Sequence, residues 1–291
     1  MTTFNEYSPI QSLAVRAVEQ AFVDDERLDR DWHALRYHSR PELTAAQSEH
    51  QKFVDILRRH GADIISLDGN DDLTLDSIYT RDALIVTPSG LVLCNMGRKS
   101  RGKEPMLNAK QLQEAGVPVH GQIEEPGTVE GGDFIWLDNV NAAIGLGPRT
   151  NQQGIEQLQA LLGNQVKLHI VPLPAPEHPE DVFHLMSMIS PLDKDLALIY
   201  RPLMPESFCA FLRNLGVQLI DVPEDEFLSM GCNILATGPR RVVMLDQLPQ
   251  TRSRLQAVGC DVTTYYGIEI SRKGEGGPTC LTRPLIRSKQ A

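Results

Sequence analysis

The chain is poor in aromatic residues, 5% of the whole, and poor in cysteine, with five among its 291 residues. It lacks any apolar run near the ~20 residues needed to span a bilayer. Its opening stretch, MTTFNEYSPIQSLAV, has neither the basic nor the apolar region of a secretory signal. A reducing, cytoplasmic location is therefore expected, with no membrane partner. Cys94, Cys209, Cys232, Cys260 and Cys280 are odd in number and never spaced C-x-x-C, which argues against a disulfide framework and a structural zinc site. Basic residues are also short: 28 Lys and Arg face 38 Asp and Glu, a formal net charge of −10. Nucleic acids and anionic membrane surfaces want clustered positive charge, so neither is an expected partner. A cationic small molecule is compatible with this balance. No Pro-, Gly- or Ser-rich linker divides the chain, so residues 1–291 read as a single domain.

What is present is a repeat. RRHGADIISL, QEAGVPVHG, ALLGNQVKLHIVPL, RNLGVQLIDV and QAVGCDVTTYY each put a glycine where a helix should stop, then an alternating apolar strand. Between them lie pairs of short strands: DALIVTP with LVLCN, DFIWLD with AAIGLG, HLMSMIS with LALIYRP, and CNILATG with RVVMLD. The unit is β-β-α-β, read four times in full. A fifth would combine TCLTRPLIR from the C-terminus with a helix near residues 43–60 and the strand ADIISL. A repeat of this kind points to a solenoid or a closed propeller, and sharing one unit between the termini favours closure. The alternative is an open α/β sheet.

The leading residues of the first strands are Asp82, Glu130 to Asp133, His184, Asn233 and Cys280, about fifty residues apart. Arranged around an axis, they would bring carboxylates, an imidazole, an amide and a thiol to one opening. Each alone has an ordinary structural reading, as core packing, turn residue or cap. Together they fit nucleophilic catalysis: a thiolate attacks an electrophilic carbon, an imidazole moves protons and carboxylates orient a charged group. Unpaired carboxylates would oppose thiolate formation, and a cationic substrate would offset them. A planar guanidinium or amidinium fits, because its forked N–H groups suit carboxylates. The polar loop EHPED (177–181) would sit at the rim as a lid.

The stretches DSIYTRDALIVTPSG, EPGTVEGGDF, GLGPRTNQQG, HLMSMISPLD, GCNILATG and GGPTCLTRP resemble the dimethylargininase branch of the guanidino-group-modifying, or pentein, superfamily. Arginine deiminases and amidinotransferases belong to the same superfamily. The resemblance runs from about residue 60 to the end, in the family's motif order. It implies a fivefold pseudosymmetric α/β propeller of ββαβ modules, with no metal or organic cofactor and a small guanidino compound as partner. It leaves homo-oligomerisation open. It implies Cys280 as nucleophile, His184 as general acid/base and Glu130 as the carboxylate that binds the guanidinium and orients His184. Asp82, six residues after Asp76, matches a second guanidinium-binding carboxylate. Asp76 itself, Asp133 and Asn233 are further candidates for the substrate's polar groups. Arg101 and Arg149 match arginines that hold an α-carboxylate.

One position departs from the arginine deiminases, which carry an acid two residues after the catalytic histidine. Here that residue is Met186. On a strand it would share a face with His184, giving an apolar wall that favours an N-substituted guanidinium over free arginine. Three rival outcomes stay open: transfer of the amidino group to an amine, a dihydrolase ending at ornithine, and a non-catalytic binding module of the same fold.

Overall fold

The computed structural model describes residues 2–175 and 183–288. The chain opens with β1 (Ile10–Val15), the short helices α1 (Val18–Ala21) and α2 (Asp25–Asp31), the long helix α3 (Leu43–Arg59) and β2 (Asp63–Ser66). Four segments of one order follow. They are β3 (Leu84–Thr87), β4 (Gly90–Leu93), α4 (Glu104–Glu114) and β5 (Val119–Gln122); then β6 (Phe134–Trp136), β7 (Asn141–Leu146), α5 (Gln152–Leu162) and β8 (Lys167–Pro172). The third is β9 (Ile189–Asp193), β10 (Leu196–Ile199), α6 (Glu206–Asn214) and β11 (Gln218–Asp221). After the single turn α7 (Glu224–Phe227) come β12 (Leu235–Gly238), β13 (Arg241–Leu245), α8 (Pro249–Ala257) and β14 (Asp261–Tyr265), and finally β15 (Arg283–Arg287).

These strands form five sheets of three. In each of the four segments the first two strands pair antiparallel and the strand after the helix joins the second in parallel. The fifth sheet takes β15 from one end of the chain, antiparallel to β1 from the other, with β2 parallel to β1. Sequence reading supplied β15, α3 and β2 for this sheet but overlooked IQSLAV, its middle strand. The five glycines after the helices, Gly61, Gly116, Gly163, Gly216 and Gly259, all have positive φ, from +74° to +91°. A side chain there would meet its own backbone, which is why the helices stop where they do.

The helices bury their periodic faces against the sheets. On α3, Ala46, Phe53, Val54, Ile56 and Leu57 are buried, and the Phe53 ring lies 4.8 Å from that of Tyr265. The carboxylate of Glu42 caps this helix by accepting from the N–H groups of Thr44 and Ala45. Replacing Phe53 by alanine would cost about 3–5 kcal/mol in lost transfer energy and cavity. Among the described residues no helix is long and apolar enough to cross a membrane.

Candidate active site

Each polar residue expected at a strand end lies instead in the turn just before its strand. Glu130 precedes a one-turn 3-10 segment, Gly131–Asp133, that leads into β6. His184 precedes a second such segment, Leu185–Ser187, and β9 starts only at Ile189. HLMSMIS is thus mostly turn, and alternation along a strand does not relate Met186 to His184. Asp82, Asn233 and Cys280 also sit two or three residues ahead of β3, β12 and β15. A turn frees the side chain from the alternation of a strand, so five modules can aim polar groups without burying a polar stripe in each sheet.

Glu130 and His184 form the centre. Nε2 of His184 lies 2.7 Å from Oε2 of Glu130, and Nδ1 lies 3.9 Å from Oδ1 of Asp82. All three residues are buried. The second oxygen of Glu130 accepts the N–H of Arg98 at 2.9 Å and lies 3.9 Å from Nη1 of Arg149. Burial alone would press the His184 imidazolium down. Asp82 and Asp133, with the charge and hydrogen bond of Glu130, outweigh it and raise the group to about 9. For Glu130, burial pushes upward, but His184, Arg149 and Arg101 bring the carboxyl down to about 2.

Asp133, expected at the substrate, turns inward. Its Oδ1 accepts the N–H of Leu185 at 3.0 Å and its Oδ2 the hydroxyl of Thr150 at 2.7 Å. The Thr150 oxygen in turn accepts the N–H of Glu130 at 3.1 Å. One buried carboxylate thereby fixes the backbone on both sides of the Glu130–His184 pair. Sequence reading takes Thr150, directly after Arg149 in GPRTN, as a helix start and not as this link.

Cys280 is half-buried, whereas Cys94, Cys209, Cys232 and Cys260 are buried. Its Sγ accepts from Nδ2 of Asn233 at 3.1 Å. Oδ1 of Asn233 accepts both the N–H and the hydroxyl of Thr279, at 3.0 and 2.6 Å. Asn233 thus ties the thiol to the Thr279 backbone and hydroxyl. Burial and then Asp82 push the Cys280 thiol up, while the Asn233 and Thr279 hydrogen bonds and Arg81 pull it back. The glycines before it permit this contact: a Cβ on Gly277 would lie 2.5 Å from Oδ1 of Asn233, and one on Gly276 would lie 2.1 Å from the Tyr79 ring. Gly132 has the same role on the other side. A Cβ there would sit 2.7 Å from both Oδ1 of Asp82 and Nδ1 of His184.

Cys280, His184, Asn233, Gly132 and Met186 line one cavity of about 160 Å³, together with Phe183, Phe227 and Leu228. Arg272 and Glu275 also line it, and sequence reading named neither. A larger cavity of about 400 Å³, near Tyr7, Asp138 and Lys194, shares no residue with it. Arg101 does not line the site cavity. Its guanidinium donates to Oδ2 of Asp82 at 2.5 Å, to both oxygens of Glu104 at 2.8 Å and to the carbonyl of Tyr79. Asp76 is likewise engaged, by Nη1 of Arg98 at 2.6 Å. Arg98 is another residue the sequence did not single out, hidden in the basic run GRKSRG. The loop EHPED lies outside the described residues. Among those residues no cluster of three or more His, Cys, Asp or Glu is placed to hold a metal.

The family model described as N,N dimethylarginine dimethylhydrolase, eukaryotic, matches residues 21–287. The N(G),N(G)-dimethylarginine dimethylaminohydrolase of Streptomyces coelicolor is 28% identical over 232 residues, covering 79% of this chain and 82% of that protein. An arginine deiminase of Listeria welshimeri is 26% identical over 249 residues, 72% of this chain and 61% of its own. Among solved structures, a mutant dimethylarginine dimethylaminohydrolase of Pseudomonas aeruginosa complexed with citrulline superposes with a TM-score of 0.76. It has 24% identity and covers 96% of this chain and 100% of its own. An amidinotransferase of Microseira wollei gives a TM-score of 0.80 at 17% identity, over 100% and 98%. At these identities the structural likenesses establish the fold. The family match, which runs over nearly the whole described chain, establishes more: the chain belongs to the N,N dimethylarginine dimethylhydrolase family of guanidino-group hydrolases.

Proposed function

We propose that this protein hydrolyses a guanidinium C–N bond of an N-substituted arginine through a covalent intermediate on Cys280. One observation carries the reading: Cys280, held by Asn233, and His184, held by Glu130, line the same cavity. Oδ1 of Asp82, beside Nδ1 of His184, is buried with no hydrogen-bond partner among the described residues, and the missing side chain of Gly132 keeps space next to both atoms. A guanidinium that donates to this oxygen brings its positive charge next to the thiol. Burial and Asp82 raise the Cys280 thiol; the added positive charge offsets them, and the proton then leaves to solvent.

The thiolate adds to the guanidinium carbon, forming a C–S bond and a tetrahedral adduct. His184, an imidazolium at neutral pH, protonates the departing amine as the C–N bond breaks, leaving an S-alkylthiouronium. Neutral His184 then takes a proton from water, the water oxygen attacks the same carbon, and the thiolate leaves. The products are an amine and a ureido amino acid of the citrulline type.

Met186, Phe183, Phe227, Leu228 and Met230 give the cavity an apolar wall that suits an N-alkyl group. Arg272, which also donates to Gln247 and Ser229, and Glu275, beside His38, supply opposite charges at the cavity for an α-carboxylate and an α-ammonium. Arg101, with its donors taken by Asp82, Glu104 and Tyr79, is instead assigned to holding Asp82. Around the site we read the five sheets as a closed ring, the fifth module joined from both termini. This is supported by β15 lying on β1 while also touching β3, and by β9 touching β12. The test is a screen of N-methylated arginines, arginine, agmatine and other guanidino acids, scoring released amine and ureido product with and without added amines. Release of methylamines with a ureido product supports the assignment. Ornithine as end product, amidino transfer to the added amine, or a preference for free arginine would each replace it.

A further inference from the structure

Strand β15 carries two buried arginines, Arg283 and Arg287, that the chemistry above does not use. They line a cavity of about 30 Å³ with Thr3, Glu6, Phe134 and Trp136, and none of its residues belongs to the cavity of Cys280. Each arginine spends one nitrogen on the backbone. Nη1 of Arg283 donates to the carbonyl of Leu84 at 2.7 Å, and Nη1 of Arg287 donates to those of Ser8 and Ala236 at 2.6 and 2.9 Å. Three other donors of the lining have no hydrogen-bond partner: Nε of Arg283, Nη2 of Arg287 and the hydroxyl of Thr3. All three side chains belong to residues only 5% exposed. Native proteins leave only a few such groups unmet per hundred residues, so three gathered around one small space mark a ligand position.

Charge indicates which ligand. Fully buried Arg81 donates to Oε2 of Glu6 at 3.3 Å, and Nη2 of Arg287 lies 3.8 Å from the same oxygen. Arg283 makes no ion pair among the described residues. Three guanidinium groups thus share one carboxylate, and a buried excess of positive charge needs a counter-charge. Burial, then repulsion from Arg81, brings Arg283 down to about 9. Water is a poorer occupant than an anion. It could accept from the donors and turn its hydrogens to Glu6, but it would bring no charge to balance the three guanidinium groups. A spherical anion accepts from every side. At about 30 Å³ the space is small, which favours a compact anion.

We propose that this cavity is a binding site for a monovalent anion of halide size, held by Thr3, Arg283 and Arg287. The experiment is thermal unfolding of the intact protein in sodium chloride or bromide, titrated against sodium gluconate at constant ionic strength. Crystals grown in bromide supply the anomalous map. A saturable rise in Tm with either halide, absent with gluconate, is expected, together with a bromide peak between the three side chains. Thr3→Val, which removes one donor and no charge, should raise the half-saturating halide concentration roughly tenfold or more. Equal Tm in halide and gluconate throughout, a bromide map with no peak in the cavity, or an unchanged halide response in Thr3→Val would each overturn the proposal. If Thr3→Val does not fold, the titration and map on the unaltered chain still decide it.

Discussion

Replacing Glu130 by glutamine tests the centre of the site with one atom changed. The amide oxygen can still accept the N–H of Arg98, now at 2.9 Å from the carboxylate, so the local fold has its anchor. Facing Nε2 of His184, the carboxylate oxygen at 2.7 Å gives way to an N–H donor. That swap removes an anion and adds a partner for the neutral ring, and both changes favour loss of the imidazolium proton. A hydrogen bond to a charged group is worth about 1.5–3 kcal/mol, and one pH unit corresponds to about 1.36 kcal/mol. The His184 midpoint should therefore fall from about 9 to about 7–8. The same range predicts a loss of roughly ten- to a hundredfold in kcat/KM. A group raised above its unfolded value contributes stability that is full below the unfolded pKa and is lost as pH rises through the folded one. In the wild type this loss spans about 6.5 to about 9, and in the variant it ends at lower pH. The assay is an NMR titration of histidine ring Cε1 signals, with His184 identified by its absence in His184→Ala. A midpoint that stays at about 9 in Glu130→Gln, or rises, would refute the coupling on which the acid/base assignment rests.

Cys280→Ser should abolish turnover, since a serine alkoxide is out of reach at neutral pH. A cationic haloacetamidine should label Cys280 ahead of the four buried cysteines, and peptide mapping that finds Cys94 or Cys209 instead would remove the thiol from the mechanism. Gly132→Ala should cost activity at least as heavily as Glu130→Gln and also lower Tm, because its Cβ would press on buried Asp82 and His184 at 2.7 Å; normal kcat/KM would mean the substrate approaches elsewhere. Met186→Asp should shift the ratio of kcat/KM for arginine over N-methylated arginine roughly tenfold or more toward arginine, and an unmoved ratio would make Met186 packing alone. Asp133→Asn should lower kcat/KM while leaving Tm equal or higher; a parallel loss of both would reduce Asp133 to a purely structural role.

The repeat was legible because its punctuation is local. A glycine after a helix and an alternating strand after the glycine need no knowledge of distant contacts, and all five glycines carry the positive φ that this reading requires. The middle strand of the fifth sheet was not legible, because IQSLAV has no helix of its own unit before it and its partner lies at the other end of the chain. The site residues were found by their equivalent spacing, yet their setting was misjudged. HLMSMIS has the composition of a strand, while the hydrogen bond from Leu185 N–H to Asp133 draws it into a turn. The roles of Thr150, Arg98 and Gly132 escaped for a related reason. What each does depends on a partner 17 to 32 residues away or on the space left by a missing side chain, and neither is written in the local pattern.

Asp133 shows how the fold and the chemistry pull against each other. Burial is the main reason its carboxyl is raised from 3.8 to about 6. Keeping it ionised at neutral pH therefore costs about 3 kcal/mol relative to an exposed aspartate. The sign follows from the raised value: this contribution favours the fold below about 3.8 and is lost as pH climbs through about 6. An apolar or amide side chain would avoid the penalty. Neither would replace what the carboxylate does, because its two oxygens reach Leu185 beside His184 and, through Thr150, the N–H of Glu130. Its charge also helps hold His184 as an imidazolium. A group that is unfavourable for stability and satisfied only by the neighbours of two catalytic candidates is accounted for by the reaction. This physical asymmetry is why the Asp133→Asn variant should separate stability from turnover.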